Sequence, residues 1–270
     1  MHPELFHIGS FALRSFGLML AISFFVGILY IRRRAFSEKI DVNFVLNLAF
    51  VVIFTGIIGA RLFYVLFHWS EFASDWWAAI NPFRSGGEFG IAGLNLYGGV
   101  VLAIIATLVY VHWKKQPLWQ TVDIFAPAVA LGIFISRIGC FLNGCCFGTP
   151  CDLPFGVSFP EGSIPYYQFG ATPLHPTQLY SSLYGLLLFF ALHYFDKHKR
   201  FFGATFALLL MIEAVFRFLI EYVRYYEPEM VTHLFGIQFT YNHLIAIGLF
   251  LFGLILWIVL SRRPELVARD

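Results

Sequence analysis

The side chains best equipped for chemistry crowd into Ser136-Arg137-Ile138-Gly139-Cys140-Phe141-Leu142-Asn143-Gly144-Cys145-Cys146-Phe147-Gly148-Thr149-Pro150-Cys151, which holds all 4 cysteines of the chain. Arg137 closes an apolar run with no acid beside it. A guanidinium in such a place costs roughly 2.5–3.5 kcal/mol, so either it snorkels to an interface or it has a task. A second constellation is Glu213, Arg217 and Glu221 at steps of four, with Arg224 three further on. Residues four apart share a helix face. Such a stripe either neutralises itself or presents Arg217 to an anion. Arg14 and Arg61 also interrupt apolar segments. The planar fork of arginine binds phosphate and carboxylate in bidentate fashion, which suits an anionic headgroup.

For proton transfer, His175 titrates near neutrality and opens His175-Pro176-Thr177-Gln178-Leu179-Tyr180, although a histidine beside a proline is often only a loop residue. Tyr97-Gly98-Gly99 opens another apolar segment, and its glycines allow close approach of a helix or a substrate. The spacing C-x4-C-C-x4-C is not that of a zinc site, whose paired ligands sit two to four apart. Cys140, Cys145, Cys146 and Cys151 are read first as a disulfide staple in an oxidising compartment, with free buried thiols and a metal or redox role as alternatives. No metal and no cofactor is expected.

The elements that carry these residues are membrane spans. The 270 residues are 59% hydrophobic and 13% charged, about half the charge of a soluble domain. A net charge of +2 and the lack of an aromatic-laced basic patch exclude nucleic acid as a partner. A bilayer core of ~30 Å needs about 20 apolar residues per helix. Seven runs qualify, at about 11–31, 43–67, 92–113, 121–142, 176–195, 202–224 and 239–260. The expected fold is therefore an all-α integral membrane domain of seven transmembrane helices spanning 1–270. Its longer outer loops fall at about 68–90 and 143–175. Trp76-Trp77 in the first suits an interfacial anchor, and Pro127 in the fourth run suits a kink.

Of the 18 Lys and Arg, twelve lie after the first, third, fifth and seventh runs: Arg32, Arg33, Arg34, Lys39, Lys114, Lys115, Lys197, Lys199, Arg200, Arg262, Arg263 and Arg269. The positive-inside rule puts these in the cytoplasm, the N-terminus outside and the C-terminus inside. The other six are all arginine: Arg14, Arg61, Arg84, Arg137, Arg217 and Arg224. All but Arg84 then fall in the outer half of a helix or at its edge, a layer suited to an anionic headgroup. Intramembrane ion pairs with Glu213 and Glu221 are the alternative.

The chain resembles the bacterial prolipoprotein diacylglyceryl transferase family. The resemblance runs through Leu13-Arg14-Ser15-Phe16-Gly17-Leu18-Met19, Gly59-Ala60-Arg61-Leu62-Phe63-Tyr64, Tyr97-Gly98-Gly99, Asp123-Ile124-Phe125-Ala126-Pro127, the Arg137 stretch, His175 to Tyr180, and Phe216-Arg217-Phe218-Leu219-Ile220-Glu221. The family motif Gly-Arg-x-Gly-Asn-Phe-x-Asn-x-Glu is matched by Arg137, Gly139, Phe141 and Asn143. Ser136 replaces its first Gly, Cys140 its Asn and Cys145 its Glu. Tyr97 replaces a His, Phe16 a Tyr and Ser181 a Glu. The resemblance implies transfer of the diacylglyceryl group of phosphatidylglycerol to the thiol of a lipobox cysteine in a preprolipoprotein, in the bacterial cytoplasmic (inner) membrane. It implies catalytic roles for Arg137, Arg217, Glu221, His175 and Tyr97. It also implies lipid contacts for Arg14, Arg61, Asn143, Gly98, Gly99 and Arg224. A paralogue using the same lipid with another acceptor, or a lipid-binding protein without activity, is the alternative.

Overall fold

The structure is a computed structural model that describes residues 4–8, 11–72, 77, 93–226, 231–234 and 237–263. Its elements are β1 (Glu4–Ile8), β2 (Phe11–Arg14), α1 (Ser15–Ser37), α2 (Val42–Phe67), α3 (Trp69–Phe72), α4 (Leu96–Trp113), α5 (Leu118–Asn143), α6 (Ile164–Phe169), α7 (Thr177–Asp196), α8 (Ala204–Ile220), β3 (Val231–Leu234), β4 (Ile237–Thr240) and α9 (Tyr241–Ser261). Five of these, α1, α2, α4, α5 and α9, are long and apolar enough to cross a membrane. The chain is an integral membrane protein of predominantly helical fold. The two remaining long helices fall on the fifth and sixth expected runs. Of these, α8 has only 17 residues, and the start of α7 is diluted by Thr177, Gln178, Ser181 and Ser182.

The helix ends differ from expectation in instructive ways. Two two-stranded sheets, β1 with β2 and β3 with β4, precede α1 and α9. Ile237 and Phe239 alternate with Gln238 and Thr240, a period of two that favours a strand where hydropathy alone reads span. The sixth expected span stops at Ile220, so Glu221 only caps α8 and Arg224 lies outside it. α5 begins at Leu118 and runs through Pro127 without a break. Of the loop expected at 68–90, Trp76 lies outside the described residues and Trp77 is exposed.

Packing divides the chain into two compact units. One contains Leu5–Leu13 and Tyr30–Thr121. Within it α2 packs along α4 through glycines. A Cβ on Gly59 would meet the Gly98 carbonyl oxygen at 2.5 Å, and one on Gly99 the Gly56 oxygen at 2.8 Å. The Asn95 side chain caps α4 by accepting from the Tyr97 and Gly98 amides at 3.0 and 3.3 Å.

The other unit contains Arg14–Leu29 and Val122 onward. Its core is Ala126, Ala130, Leu188, Leu192 and Leu209, where α5, α7 and α8 meet. One end is tied by a buried polar cluster. Asp123 accepts from the Gly203 and Phe206 amides at 2.8 and 2.9 Å, so α5 supplies the anionic cap for the start of α8. Lys199 bridges Asp123 and Asp196 at 3.2 and 2.9 Å. This lysine is therefore buried in an ion-pair cluster rather than free in a basic loop. Arg137 sits fourteen residues further along α5, about 21 Å away at 1.5 Å per residue.

Candidate active site

α5 ends in a Schellman turn. Gly144, at φ 73°, donates to the Phe141 carbonyl at 3.2 Å, and Cys145 donates to the Cys140 carbonyl at 3.1 Å. The next residue, Cys146, is also left-handed, at φ 61°. A non-glycine residue there stores about 1–3 kcal/mol unless its surroundings hold it. Here they do. Thr177 Oγ1 donates to the Cys146 carbonyl at 2.6 Å, and Gln178 Nε2 to the Cys145 carbonyl at 2.8 Å, so the start of α7 clamps the turn.

The segment beyond the turn is pinned from two sides. The Gly148 amide donates to His175 O and the His175 amide to Thr149 O, both at 3.0 Å. The Thr149 amide donates to Val223 O at 3.0 Å, and the Tyr225 amide to Phe147 O at 3.2 Å. Gly148 lies where the strands cross: a Cβ there would meet Val223 O at 2.5 Å and His175 O at 2.7 Å. Phe147, Phe159 and Leu174 are buried together beneath, with Tyr225 stacked on Phe147. The loop at 143–175 is thus a packed structure. Its scaffold of bridges and one short helix leaves no periodic trace in the sequence.

These constraints place Arg137, Arg217 and Arg224 around one narrow cavity with Cys146, Thr177, Ser181, Tyr184 and Glu213. A single carboxylate organises two of the arginines. Glu221, fully buried, holds Arg217 Nε at 3.3 Å and Arg224 Nη1 at 3.8 Å on Oε1. The same carboxylate accepts from Tyr226 at 2.8 Å, Thr240 at 3.1 Å and Asn242 at 3.2 Å. Thr240 and Asn242 belong to the start of α9, so that helix holds the arginine anchor in place. Arg137 makes no hydrogen bond or ion pair with another described residue, and the buried Glu213 carboxylate and Tyr184 hydroxyl neighbour each other in the cavity. Three guanidiniums line the cavity beside one carboxylate, Glu213, and Glu221 pairs with two of them.

The thiols respond to this field. The Cys146 thiol is pulled below the ordinary thiol range by hydrogen bonding with Cys140 and Cys145. Arg224 and Arg137 add to the effect, and burial opposes it. The Cys145 thiol is raised on balance: hydrogen bonding with Cys140 pulls it down, and hydrogen bonding with Cys146 together with burial pushes it up. All four cysteines are free thiols.

The other expected residues fall elsewhere. His175 does not line the cavity; its Nδ1 lies 3.2 Å from the Tyr180 hydroxyl, and its backbone serves the loop. Asn143 is the last residue of α5. Arg14 ends β2 and is exposed. In the other unit Arg61 donates to Gly93 O at 3.3 Å and lies over the rings of Phe72 and Tyr64. Tyr97 is exposed beside the buried Gly98 and Gly99. Sequence reading missed Tyr226, Thr240 and Asn242. Their signal was faint: Thr240 and Asn242 fall at the start of the last apolar run, and Tyr226 well before it.

A family model described as prolipoprotein diacylglyceryl transferase matches residues 3–259. The chain belongs to that family. Proteins named phosphatidylglycerol–prolipoprotein diacylglyceryl transferase are similar to it over most of its length. The Clostridium tetani protein is 30% identical over 256 residues, covering 94% of this chain and 98% of its own. That of Nitratidesulfovibrio vulgaris is 32% identical over 269 residues, covering 97% and 94%. The match to the Prochlorococcus marinus MIT 9303 protein is 33% identical and covers 69% of this chain, but only 64% of that longer relative.

Proposed function

We propose that the chain transfers the diacylglyceryl group of phosphatidylglycerol to the thiol of a lipobox cysteine in a preprolipoprotein. The observation that carries this reading is the cavity of Arg137, Arg217 and Arg224 with one carboxylate shared between two of them. A phosphate diester is the anion that such an excess of guanidinium suits. The acceptor thiolate attacks the glycerol carbon bearing the phosphate ester. That C–O bond breaks, a C–S bond forms, and glycerol phosphate leaves with the electron pair. Charge grows on the departing phosphate oxygens, and fixed donors aimed at growing charge supply the largest catalytic contribution. Arg137, with no partner of its own, meets that charge first. Arg217 and Arg224, oriented by Glu221, bind the rest of the headgroup.

A thiol with pKa near 8.5 must lose its proton to act. Glu213 is better placed than His175 to take it, because Glu213 lines the cavity and His175 does not. His175 keeps the positioning role that its backbone gives it. Arg14, Arg61, Asn143, Tyr97, Gly98 and Gly99 are assigned to lipid contact by type and by family position, without a chemical step.

In this reading all seven long helices cross the bacterial cytoplasmic membrane, with the N-terminus outside, the C-terminus inside and the arginines at the outer leaflet. Expressing the gene while a bacterial host is depleted of its own transferase tests the proposal. Lipid-modified lipoprotein should persist. Unmodified precursor accumulating beside well-expressed protein would defeat it.

A further inference from the structure

The sulfurs of Cys140, Cys145 and Cys146 all lie within 4.8 Å of one another. The backbone brings them together. The Schellman turn folds Cys145 back over Cys140, where its thiol donates to the Cys140 carbonyl at 3.7 Å, and Cys146 follows at φ 61°. The hydrogen bonds from Thr177 and Gln178 fix the carbonyls of the two later cysteines. Three thiolates around one ion at about 2.3 Å hold their sulfurs about 4 Å apart, within the spacing already present.

We propose that Cys140, Cys145 and Cys146 form a trigonal thiolate site for a soft monovalent metal ion of the copper(I) or silver(I) class. Thiolates select such ions by softness. The charge favours monovalence: three thiolates and one monovalent cation carry −2, and Cys146 lines a cavity that also holds the cationic Arg137 and Arg224. Zinc is less suited. Structural zinc takes four ligands, and among the described residues no fourth His, Cys, Asp or Glu joins the trio. On binding, every thiol of the trio still protonated loses its S–H proton, three metal–sulfur bonds form, and no oxidation state changes.

The test uses the reduced full-length protein in detergent, titrated anaerobically with copper(I) against a bathocuproine competitor. One equivalent per chain should be retained, and X-ray absorption at the copper edge should show three sulfur neighbours. Cys140→Ser, Cys145→Ser and Cys146→Ser should each weaken retention by at least about tenfold, while Cys151→Ser, outside the trio, should retain it. Copper lost entirely to the competitor, fewer than three sulfur neighbours in the wild-type spectrum, or equal loss in Cys151→Ser would overturn the site. So would a disulfide within the trio in protein taken directly from cells. The wild-type spectrum answers even where a variant does not fold. The titration contains no lipid or peptide substrate, so its outcome is independent of the transferase reading.

Discussion

In the proposed mechanism Arg137, without an ion-pair partner among the described residues, is the donor and Glu221 the anchor. Arg137→Ala should lower the transfer rate on the order of a hundredfold or more, as loss of a donor to developing charge does elsewhere. Arg137→Lys should recover only part, because an ammonium lacks the bidentate fork. Glu221→Gln should cost on the order of tenfold to a hundredfold and raise KM, since Arg217 and Arg224 lose the shared oxygen that orients them. Steady-state kinetics with a lipobox peptide would check all three; a Glu221→Gln enzyme with wild-type KM would remove its orienting role. Cys146 has its own signature. A depressed pKa leaves thiolate present below the usual thiol range near 8.5, so iodoacetamide at about pH 6 should label Cys146 ahead of Cys145. Labelling of Cys146 that fades below pH 8, as for an unperturbed thiol, would contradict the field described for the cavity.

At the scale of elements, the site depends on three segments crossing at Gly148. Gly148→Ala drives a Cβ into two backbone carbonyl oxygens that no rotamer change can move aside, and should cost about 1–3 kcal/mol. Thr177→Val removes one hydrogen bond from the strained Cys146 turn and should cost about 1 kcal/mol. Thermal unfolding in detergent reads both; an unchanged midpoint for Gly148→Ala would mean the crossing is looser than its geometry. Much of this scale was legible in the sequence, because helix placement follows hydropathy and each expected apolar run holds a long helix. The segregation of lysine from arginine singled out Arg14, Arg61, Arg137, Arg217 and Arg224 before any geometry, and of these Arg137, Arg217 and Arg224 line one cavity. The cysteine trio was not legible. Two left-handed residues, Gly144 and Cys146 on either side of Cys145, fold C-x4-C-C into a cluster, and spacing rules built for zinc motifs do not contain that turn. The Glu221 anchor was hidden for another reason: Thr240 and Asn242 reach it from beyond a hairpin whose alternation is shorter than a hydropathy window, and Tyr226 from five residues on, past the end of α8.

For the whole molecule, the distribution of charge is the basis of the proposed orientation. Reporter fusions at Lys114-Lys115 and after Ser261 should both read cytoplasmic. A periplasmic signal at either would turn the arginine cavity away from the outer leaflet, where a secreted precursor presents its cysteine. The chemistry itself is tested most directly with purified protein, phosphatidylglycerol in detergent and a synthetic lipobox peptide, followed by mass spectrometry. The peptide should gain one diacylglyceryl group on its cysteine, glycerol phosphate should appear in equal amount, and Arg137→Ala protein of the same fold should do neither at a comparable rate. An unmodified peptide with folded wild-type protein, or transfer that Arg137→Ala leaves intact, would contradict the account.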